Sequence, residues 1–387
     1  MSVTAAPGFV ASGIAAGIKA SGRPDLSLVA TADGAPVAAA GVFTRNKMTA
    51  APVITTRAHL DATDGRAVAV ILNSGNANAA TGEQGLADAE AMCAAVAEQL
   101  GVDPEQVLVC STGLIGIPMP IDTITAGVSA LVAARSADGG DAAAIAIMTT
   151  DTVPKQVVVD GGGFVVGGMA KGAAMLSPNM ATMLAVLTTD AAATPAQLKD
   201  ALVFGVADSF NALDVDGCTS TNDTVLLLAS GLAGPVDQAA LNDTVARACA
   251  SLAAQMCADA EGATKVVRMT VTGAASTDDA KVGARYVSRS NLVKCSWYGC
   301  DPYWGRIASD LGSCGITFDP ARLTVSYGGI TVCRGAVDVD HDAAAVVAHM
   351  QGRNLDIVAD LGLGDGTATI LTNDLTHAYI DENMGTS

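Results

Sequence analysis

Short apolar runs separated by turn-forming residues recur along the chain, and this pattern limits its fold more than any other feature. The runs "DLSLVATA", "PVAAAGVFT" and "RAVAVILNSG" lie in the first part, and "KVVRMTVTGAA" and "RLTVSYGGITVCRGAV" lie in the last third. Such runs predict β-strands. Asp33 and Gly34 stand between the first two runs and predict a hairpin there. The many hairpin signals favour sheets that are largely antiparallel.

Helical patterns are mixed with these strands. Residues 86–101 are rich in helix formers and end at Gly101, a residue that commonly follows a helix C-terminus. Thr194 and Pro195 are typical of a helix start. Further helices are predicted over residues 237–259 and 342–352. The sequence therefore indicates a mixed α/β or α+β fold.

Composition limits which residues can build the core and which classes of partner the protein can bind. The 387 residues suffice for one large domain or two ordinary ones. Half of the residues are hydrophobic but only 3% are aromatic, so Ala, Val, Leu, Ile and Met must build the core. The net charge of −18 argues against nucleic acid or an anionic membrane as a partner, because both require basic patches.

The chain start and the cysteines indicate the cellular compartment. The first 22 residues have no basic region, and Gly and Ser interrupt their apolar run, so neither a signal peptide nor a membrane span is predicted. The nine cysteines form no C-x-x-C pair, which argues against a disulfide framework or a zinc site. We expect a cytoplasmic protein with reduced cysteines and no bound metal.

Common catalytic patterns are missing from the sequence. The four histidines are not accompanied by a G-x-S-x-G motif, so nothing supports a Ser-His-Asp triad. The glycine clusters "VDGGGFVVGG" and "LGLGDG" do not match nucleotide-binding patterns in a strand–helix context. We interpret both clusters as turns.

Thr182 is the remaining candidate nucleophile. It stands in "KGAAMLSPNMATMLAVLTTDA" (171–191), directly before a predicted buried strand. An N-terminal threonine can use its own α-amino group, whose pKa is about 7.7–8, as the base that activates its hydroxyl. Because Thr182 is internal, the chain would first have to be cut between Ala181 and Thr182. Taken alone, an Ala-Thr pair before a strand is common and is more typical of an ordinary structural threonine than of a nucleophile.

The same segment resembles the cleavage segment of the ArgJ family, the glutamate N-acetyltransferases (ornithine acetyltransferases) of arginine biosynthesis. Other stretches resemble family segments in the same order, so that the resemblance covers essentially the whole chain. They are "GVFTRNKMTAAPV", "LNSGNANAATG", "STGLIG", "IMTTDTVPK", "SFNALDVDGCTSTNDTV", "ADAEGATK", "LVKCSWYGCDPYWGRI" and "DLTHAYIDEN".

The resemblance implies a fold and an activity. The fold would be a sandwich of two β layers flanked by helices, similar to that of the DmpA-type and N-terminal-nucleophile hydrolases. Self-cleavage would give an α chain (1–181) and a β chain (182–387), assembled as an α2β2 heterotetramer. The enzyme would move the acetyl group of N2-acetylornithine to glutamate through an acetyl-threonine intermediate. Some family members also use acetyl-CoA as a co-substrate, and none of this chemistry needs a cofactor.

The resemblance also implies roles for individual residues. Thr182 would be the nucleophile, and the hydroxyl of Thr112 with the backbone N–H of Gly113 would form the oxyanion hole. Substrate contacts would come from Thr149, Lys171, Glu261, Asn383 and Ser387. Thr150 or Thr152 is an alternative to Thr149, and Thr386 is an alternative to Ser387.

Two other functions stay open on the sequence. The first is an amidase or aminopeptidase with the same self-generated nucleophile, which would release free acetate rather than N-acetylglutamate. The second is an uncleaved relative that only binds amino acids or partners, which would be found as a single chain.

Overall fold

The computed structural model describes residues 2–175 and 183–384 of the chain. The chain divides into two compact units. The first consists of Met1–Asn211 and Cys218–Met256, and the second of Ala212–Gly217 and Cys257–Ser387.

The first unit contains two β-sheets and most of the longer helices. Its strands are β1 (Phe9–Ile14), β2 (Leu26–Thr31), β3 (Val37–Phe43), β4 (Arg66–Ala67), β5 (Ala69–Asn76), β6 (Val107–Leu114), β7 (Lys155–Asp160), β8 (Val165–Lys171), β9 (Leu184–Ala192) and β10 (Thr224–Pro235). Its helices are α1 (Ala51–Ala62), α2 (Gly82–Leu100), α3 (Ile121–Ala133), α4 (Gly140–Ala146), α5 (Pro195–Ala207) and α6 (Gln238–Ala258).

The strands form one four-stranded and one six-stranded sheet. The first has the order β1-β2-β5-β6, and the second has the order β4-β3-β10-β9-β8-β7. The pairs β5–β6 and β9–β10 are parallel, and the others in this unit are antiparallel. Parallel neighbours need a crossover, and α2 connects β5 to β6 while α5 connects β9 to β10.

The two sheets share an apolar core. Side chains of alternate residues in a strand point to opposite faces. On β5, Val70 and Leu72 therefore pack with Leu184 and Leu226 of the other sheet. Ala69 and Ile71 belong instead to a second cluster, which contains residues of α2 and α3. The first unit thus has two packed β layers with helices outside them, as the family resemblance implied.

The second unit has one sheet and five helices among the described residues. Its strands, in the order β14-β13-β12-β15-β11-β16, are β11 (Val266–Ala274), β12 (Thr324–Tyr327), β13 (Ile330–Arg334), β14 (Val337–Asp338), β15 (Asn354–Asp360) and β16 (Gly366–Asn373). Its helices are α7 (Thr277–Arg289), α8 (Asn291–Tyr298), α9 (Trp304–Ser313), α10 (Ala343–Gln351) and α11 (His377–Asn383). Alternate residues of β11 (Val267, Met269 and Val271) pack in a core with residues of α7, α8 and α10.

Most secondary-structure predictions are confirmed. Helix α2 ends at Gly101 in the left-handed conformation, and Thr194 caps α5 by accepting the N–H of Gln197. The hairpin predicted at Asp33 and Gly34 is wrong. Strand β2 pairs with β1 and β5, whereas β3 pairs with β10 and β4 in the other sheet. At Gly34 the chain therefore passes from one sheet to the other. Each of the two strands pairs with strands that are distant in the sequence or lie on its other side, and not with its neighbour across the turn.

The predicted cleavage point lies outside the described residues, but its two flanking strands are described. Strand β8 precedes it and β9 follows it, and they pair in antiparallel register. The predicted α and β chains would therefore share one sheet, and their boundary differs from the boundary between the two compact units. All nine cysteines are free, and no helix in the described ranges is long and apolar enough to cross a membrane.

Candidate functional site

Three neighbouring strands bring polar residues to one end of the six-stranded sheet. Lys171 of β8 lies opposite Leu184 of β9, which in turn lies opposite Thr224 of β10. Met183 and Asp223, the residues before these two, therefore meet at the same end as Lys171. Both predicted cleavage residues, Ala181 and Thr182, lie outside the described residues, and the next residue along the chain is Met183.

Thr112 and Lys171 are in contact. Thr112 stands near the end of β6 in the four-stranded sheet, and the Nζ atom of Lys171 donates a hydrogen bond to its Oγ1 atom over 3.3 Å. Lys171 is only 6% exposed, so this ammonium group is held inside the first unit rather than on its surface. The structure thus brings together two of the residues predicted from the sequence.

Gly113 has a backbone conformation that favours glycine. Its φ is +136°, and it lies opposite Gly75 of β5 where the register between the two strands shifts. A Cβ atom at residue 113 would lie 2.2 Å from the carbonyl carbon of Gly75. The close approach of the two backbones therefore requires glycine at this point, and it fixes the direction of the Gly113 N–H.

A buried carboxylate organises the segment around Thr149. Asp151 is 2% exposed and accepts hydrogen bonds from Lys155 Nζ (2.5 Å), Gly172 N (2.7 Å) and Thr149 N (2.9 Å). Burial alone raises the pKa of Asp151, but the charges of Lys171 and Lys155 outweigh burial and lower the pKa to about 2. Asp151 therefore ties Thr149 to the residue that follows Lys171.

The other predicted substrate residues lie in the second unit. Glu261 is 8% exposed, and its Oε2 atom accepts a hydrogen bond from Asn383 Nδ2 over 2.7 Å. Glu261 lines a cavity of about 90 Å³, together with Asp216 and Lys294. Ser387 and its alternative Thr386 lie outside the described residues.

Sequence reasoning missed several buried charged residues. Asp151 and Lys155 stand in the quoted segment "IMTTDTVPK", and Lys294 stands in "LVKCSWYGCDPYWGRI", but no role was inferred for them. Burial lowers the pKa of Lys294 to about 8, although the nearby Asp214 opposes this effect. Asp223 was also missed, although it lies within "SFNALDVDGCTSTNDTV". The only sequence signal that could have identified these residues was that each is a charged residue inside a segment that resembles the family.

Metal ligation has no support in the described part of the chain. No group of three or more His, Cys, Asp or Glu side chains within residues 2–175 and 183–384 is placed to hold a metal ion.

Comparison with known proteins gives the family. The ArgJ family model matches residues 10–385. The chain is 52% identical to the arginine biosynthesis bifunctional protein ArgJ of Mycobacterium leprae, over all of this chain and 95% of the relative. It is 49% identical to the protein of the same name from Streptomyces avermitilis, over the full length of both. The chain belongs to the ArgJ family. The resemblance inferred from the quoted segments is confirmed.

Two solved structures also match part of the chain. Ornithine acetyltransferase of Mycobacterium tuberculosis, complexed with ornithine, is 47% identical over 47% of this chain and 95% of its own, with a TM-score of 0.42. The Bacillus halodurans ArgJ protein is 33% identical over 51% of this chain and 96% of its own, with a TM-score of 0.49.

Proposed function

We propose that this ArgJ-family chain is a self-cleaving acetyltransferase that moves the acetyl group of N2-acetylornithine to glutamate in arginine biosynthesis. The observation that carries the proposal is the family match, which extends over residues 10–385 with about half of the residues identical to those of two named relatives. The contact between Lys171 and Thr112 gives it local support, because both residues were expected at the site.

The first step is cleavage between Ala181 and Thr182. The Thr182 hydroxyl attacks the carbonyl carbon of Ala181, the peptide nitrogen leaves as the new α-amino group, and water hydrolyses the resulting ester. The pairing of β8 with β9 supports the proposal that residues 1–181 and 182–387 stay together after cleavage. We further propose that two such pairs assemble as an α2β2 heterotetramer.

Acetyl transfer then uses the same hydroxyl. The α-amino group of Thr182 takes the hydroxyl proton as Oγ1 attacks the acetyl carbonyl of N2-acetylornithine, and the same proton passes to the departing nitrogen of ornithine. The acetyl ester that remains is attacked by the neutral amine of glutamate. N-acetylglutamate leaves, the surplus proton of the amine passes through the α-amino group, and Oγ1 regains its proton.

Each tetrahedral intermediate carries an oxyanion that needs fixed donors. We propose the Thr112 hydroxyl and the Gly113 N–H for this role. The left-handed φ of Gly113 supports this proposal, because it presets the direction of a backbone donor next to Thr112. The Lys171 ammonium group adds positive charge at the same place.

Substrate binding would divide between charged groups of opposite sign. We propose that Lys171 binds the α-carboxylate and that Glu261 binds an ammonium group of the substrate, with Thr149, Asn383 and Ser387 as further contacts. The hydrogen bond from Asn383 to Glu261 supports a joint role for these two residues. Acetyl-CoA is a second proposed donor, supported by the bifunctional name of the relatives, and the proposed chemistry needs no cofactor.

The proposal is tested by supplying N2-acetylornithine labelled with ¹³C in its acetyl group, together with glutamate. We expect labelled N-acetylglutamate from the wild-type protein and none from Thr182→Ala. Labelled free acetate in place of N-acetylglutamate would indicate the amidase instead. A parallel reaction with labelled acetyl-CoA tests the second donor separately. No product of either kind from a folded, cleaved protein would contradict the proposal.

A further inference from the structure

Lys19 is a cation of the first unit that has no role in the reaction described above. It lies in the loop between β1 and β2, and its side chain is only partly exposed. Its ammonium group donates hydrogen bonds to the backbone carbonyl oxygens of Pro24 (2.8 Å) and Met148 (2.7 Å). Neither acceptor carries a charge, and no carboxylate of residues 2–175 or 183–384 forms an ion pair with Lys19. The ammonium group thus has one further N–H for a ligand.

The loop that carries Lys19 is folded around a buried carboxylate. Asp25 is fully buried, and its two oxygens accept the backbone N–H groups of residues 16–19 over 2.6 to 3.2 Å. Four backbone donors fix the position of the loop and stabilise the negative charge of Asp25. The side chain of Lys19 therefore starts from a defined point of the backbone, and the carboxylate of Asp25 is bonded to the main chain rather than to the ammonium group.

Two contacts place the Lys19 side chain beside residues of the proposed site. A Cβ atom on Gly75 would lie 3.2 Å from the Cγ atom of Lys19, and Gly75 is the residue whose backbone packs against Gly113. The second carbonyl group that the ammonium group binds belongs to Met148, so covalent geometry places the ammonium nitrogen within about 6 Å of the Cα atom of Thr149. Lys19 therefore lies close to an oxyanion donor and to a substrate contact.

The ammonium groups of Lys19 and Lys171 lie near enough to repel each other. Burial lowers the pKa of Lys19 to about 8, the charges of Arg23 and Lys171 act in the same direction, and the charges of Asp25 and Asp151 oppose them. Both carboxylates already accept hydrogen bonds from other donors. An anion that binds next to the two lysines would relieve the repulsion between them.

The two proposed substrates differ in the charge of their side chains. N2-acetylornithine has one carboxylate and a side-chain ammonium group, whereas glutamate has two carboxylates. Lys171 is the proposed partner of the α-carboxylate that both substrates share, and Glu261 has the wrong sign for a second carboxylate. Lys155 is fully buried against Asp151 and cannot reach a ligand. Glutamate therefore needs a second accessible cation, and Lys19 meets this requirement.

We propose that Lys19 is a specificity-determining residue for the acetyl acceptor: its ammonium group binds the side-chain carboxylate of glutamate while Lys171 binds the α-carboxylate. This inference rests on the proposed function and deepens it.

The contacts of Lys19 suit this role. The hydrogen bonds to Pro24 and Met148 hold the ammonium group in place before glutamate binds, so that little side-chain entropy is lost on binding. The remaining N–H makes a charge-assisted hydrogen bond to the side-chain carboxylate. Ornithine has no side-chain carboxylate, so Lys19 does not increase its affinity. The same residue thus favours glutamate over ornithine as the acceptor.

Single-turnover reactions of the acetylated enzyme test the proposal in the full chain. The enzyme is acetylated with N2-acetylornithine, desalted, and mixed with either glutamate or ornithine. The second-order rate constant for loss of the acetyl group is measured for each acceptor. Ornithine is the internal control, because it uses the same nucleophile, oxyanion donors and α-carboxylate contact but has no side-chain carboxylate.

Two variants are compared with wild type in this assay. Lys19→Met removes the charge and keeps an unbranched side chain against Gly75. Lys199→Met is the matched control, because burial also lowers the pKa of Lys199, and its ammonium group also donates to a backbone carbonyl oxygen, that of Gly41 over 2.6 Å. Lys199 lies on α5 and has no proposed contact with substrate.

The readout is the ratio of the two rate constants. Lys19→Met should lower the rate constant with glutamate roughly ten- to hundredfold, the usual effect of losing one charge-assisted hydrogen bond. The rate constant with ornithine should stay within about threefold of wild type. Lys199→Met should match wild type with both acceptors. Equal losses with glutamate and ornithine would indicate a structural role for Lys19 and overturn the inference, and so would an unchanged rate constant with glutamate.

A second measurement needs no variant of Lys19. Glutamine has nearly the shape of glutamate but no side-chain charge, so acetylated wild-type enzyme should react with it roughly ten- to hundredfold more slowly than with glutamate. Equal rates with glutamate and glutamine overturn the inference, even if Lys19→Met fails to fold. A wild-type protein that N2-acetylornithine never acetylates refutes the proposed function instead, so the two failures are distinguishable.

Discussion

The ammonium group of Lys171 donates a hydrogen bond to the hydroxyl of Thr112 across the two sheets of the first unit. This hydroxyl accepts from the lysine, so its own proton is available for another acceptor. In this arrangement the Thr112 hydroxyl can donate a hydrogen bond to an oxyanion, and the ammonium group of Lys171 places a positive charge next to that hydroxyl.

Two replacements of Thr112 distinguish the contribution of its hydroxyl from the contribution of its side-chain shape. Thr112→Val removes the hydroxyl and should lower kcat for acetyl transfer by roughly 100–1000-fold, the usual cost of losing one oxyanion donor. Thr112→Ser keeps the hydroxyl and should stay within about tenfold of wild type. The measurement is kcat of both variants by steady-state kinetics on fully cleaved protein. Equal rates for the valine and serine variants would remove the hydroxyl from the oxyanion hole.

Gly113→Ala should disrupt the site because the added methyl group clashes with the backbone of the neighbouring strand. The added Cβ would lie 2.2 Å from the carbonyl carbon of Gly75, and neither backbone segment can yield without breaking the strand register. Gly116→Ala is the control, because Gly116 also has a positive φ but open space around it. We expect lower thermal stability and little cleavage for Gly113→Ala, and a much smaller effect for Gly116→Ala. Similar losses of thermal stability and cleavage in both variants would show that the positive φ, rather than the contact with Gly75, causes the effect.

Asp151 should make stability depend on pH in the acid range. Its folded-state pKa of about 2 is below its unfolded value of about 3.9, so its stabilising effect is complete above about pH 5 and is lost progressively as the pH falls towards 2. Asp151→Asn removes the carboxylate from the buried Lys155 and should cost about 3–5 kcal/mol at pH 6. Urea unfolding from pH 6 to pH 3 should show the gap from wild type narrowing. A gap that stays constant with pH would contradict the assignment.

Glu261 should matter for substrate rather than for cleavage. Glu261→Gln removes the charge proposed to bind an ammonium group, so KM for N2-acetylornithine should rise by tenfold or more while the cleaved fraction stays near wild type. Asn383→Ala should act in the same direction but more weakly, because Asn383 is a neutral contact that also orients Glu261 through the 2.7 Å hydrogen bond. Cleavage and KM affected to the same extent would indicate a structural role for Glu261.

Local signals in the sequence were sufficient for most elements. Strand β9 and helix α5 were predicted because an apolar run, an N-cap threonine and a proline at N1 act within a few residues. The hairpin at Asp33 and Gly34 failed because a turn signal says nothing about distant partners. Strand β3 pairs with β10, which lies almost 190 residues further along the chain.

The candidate site could be predicted only in part. Thr112 and Lys171 were named through the family resemblance, because a Thr-Gly pair and a lysine carry no catalytic signal of their own. Asp151 and Asp223 were missed, since an acid becomes a buried acid only when the sheet order is known. Burial, rather than residue type, distinguishes them from the exposed acidic residues of this chain.

The central claim is that Thr182 becomes an N-terminal nucleophile that carries the acetyl group. One measurement tests it most directly: intact mass spectrometry of the purified, denatured protein before and after incubation with N2-acetylornithine without glutamate. The account predicts two chains, the second beginning at Thr182, and one added acetyl group on that chain only. Addition of glutamate should remove the acetyl group. A single uncleaved chain, or a cleaved chain that never gains an acetyl group, would contradict the account.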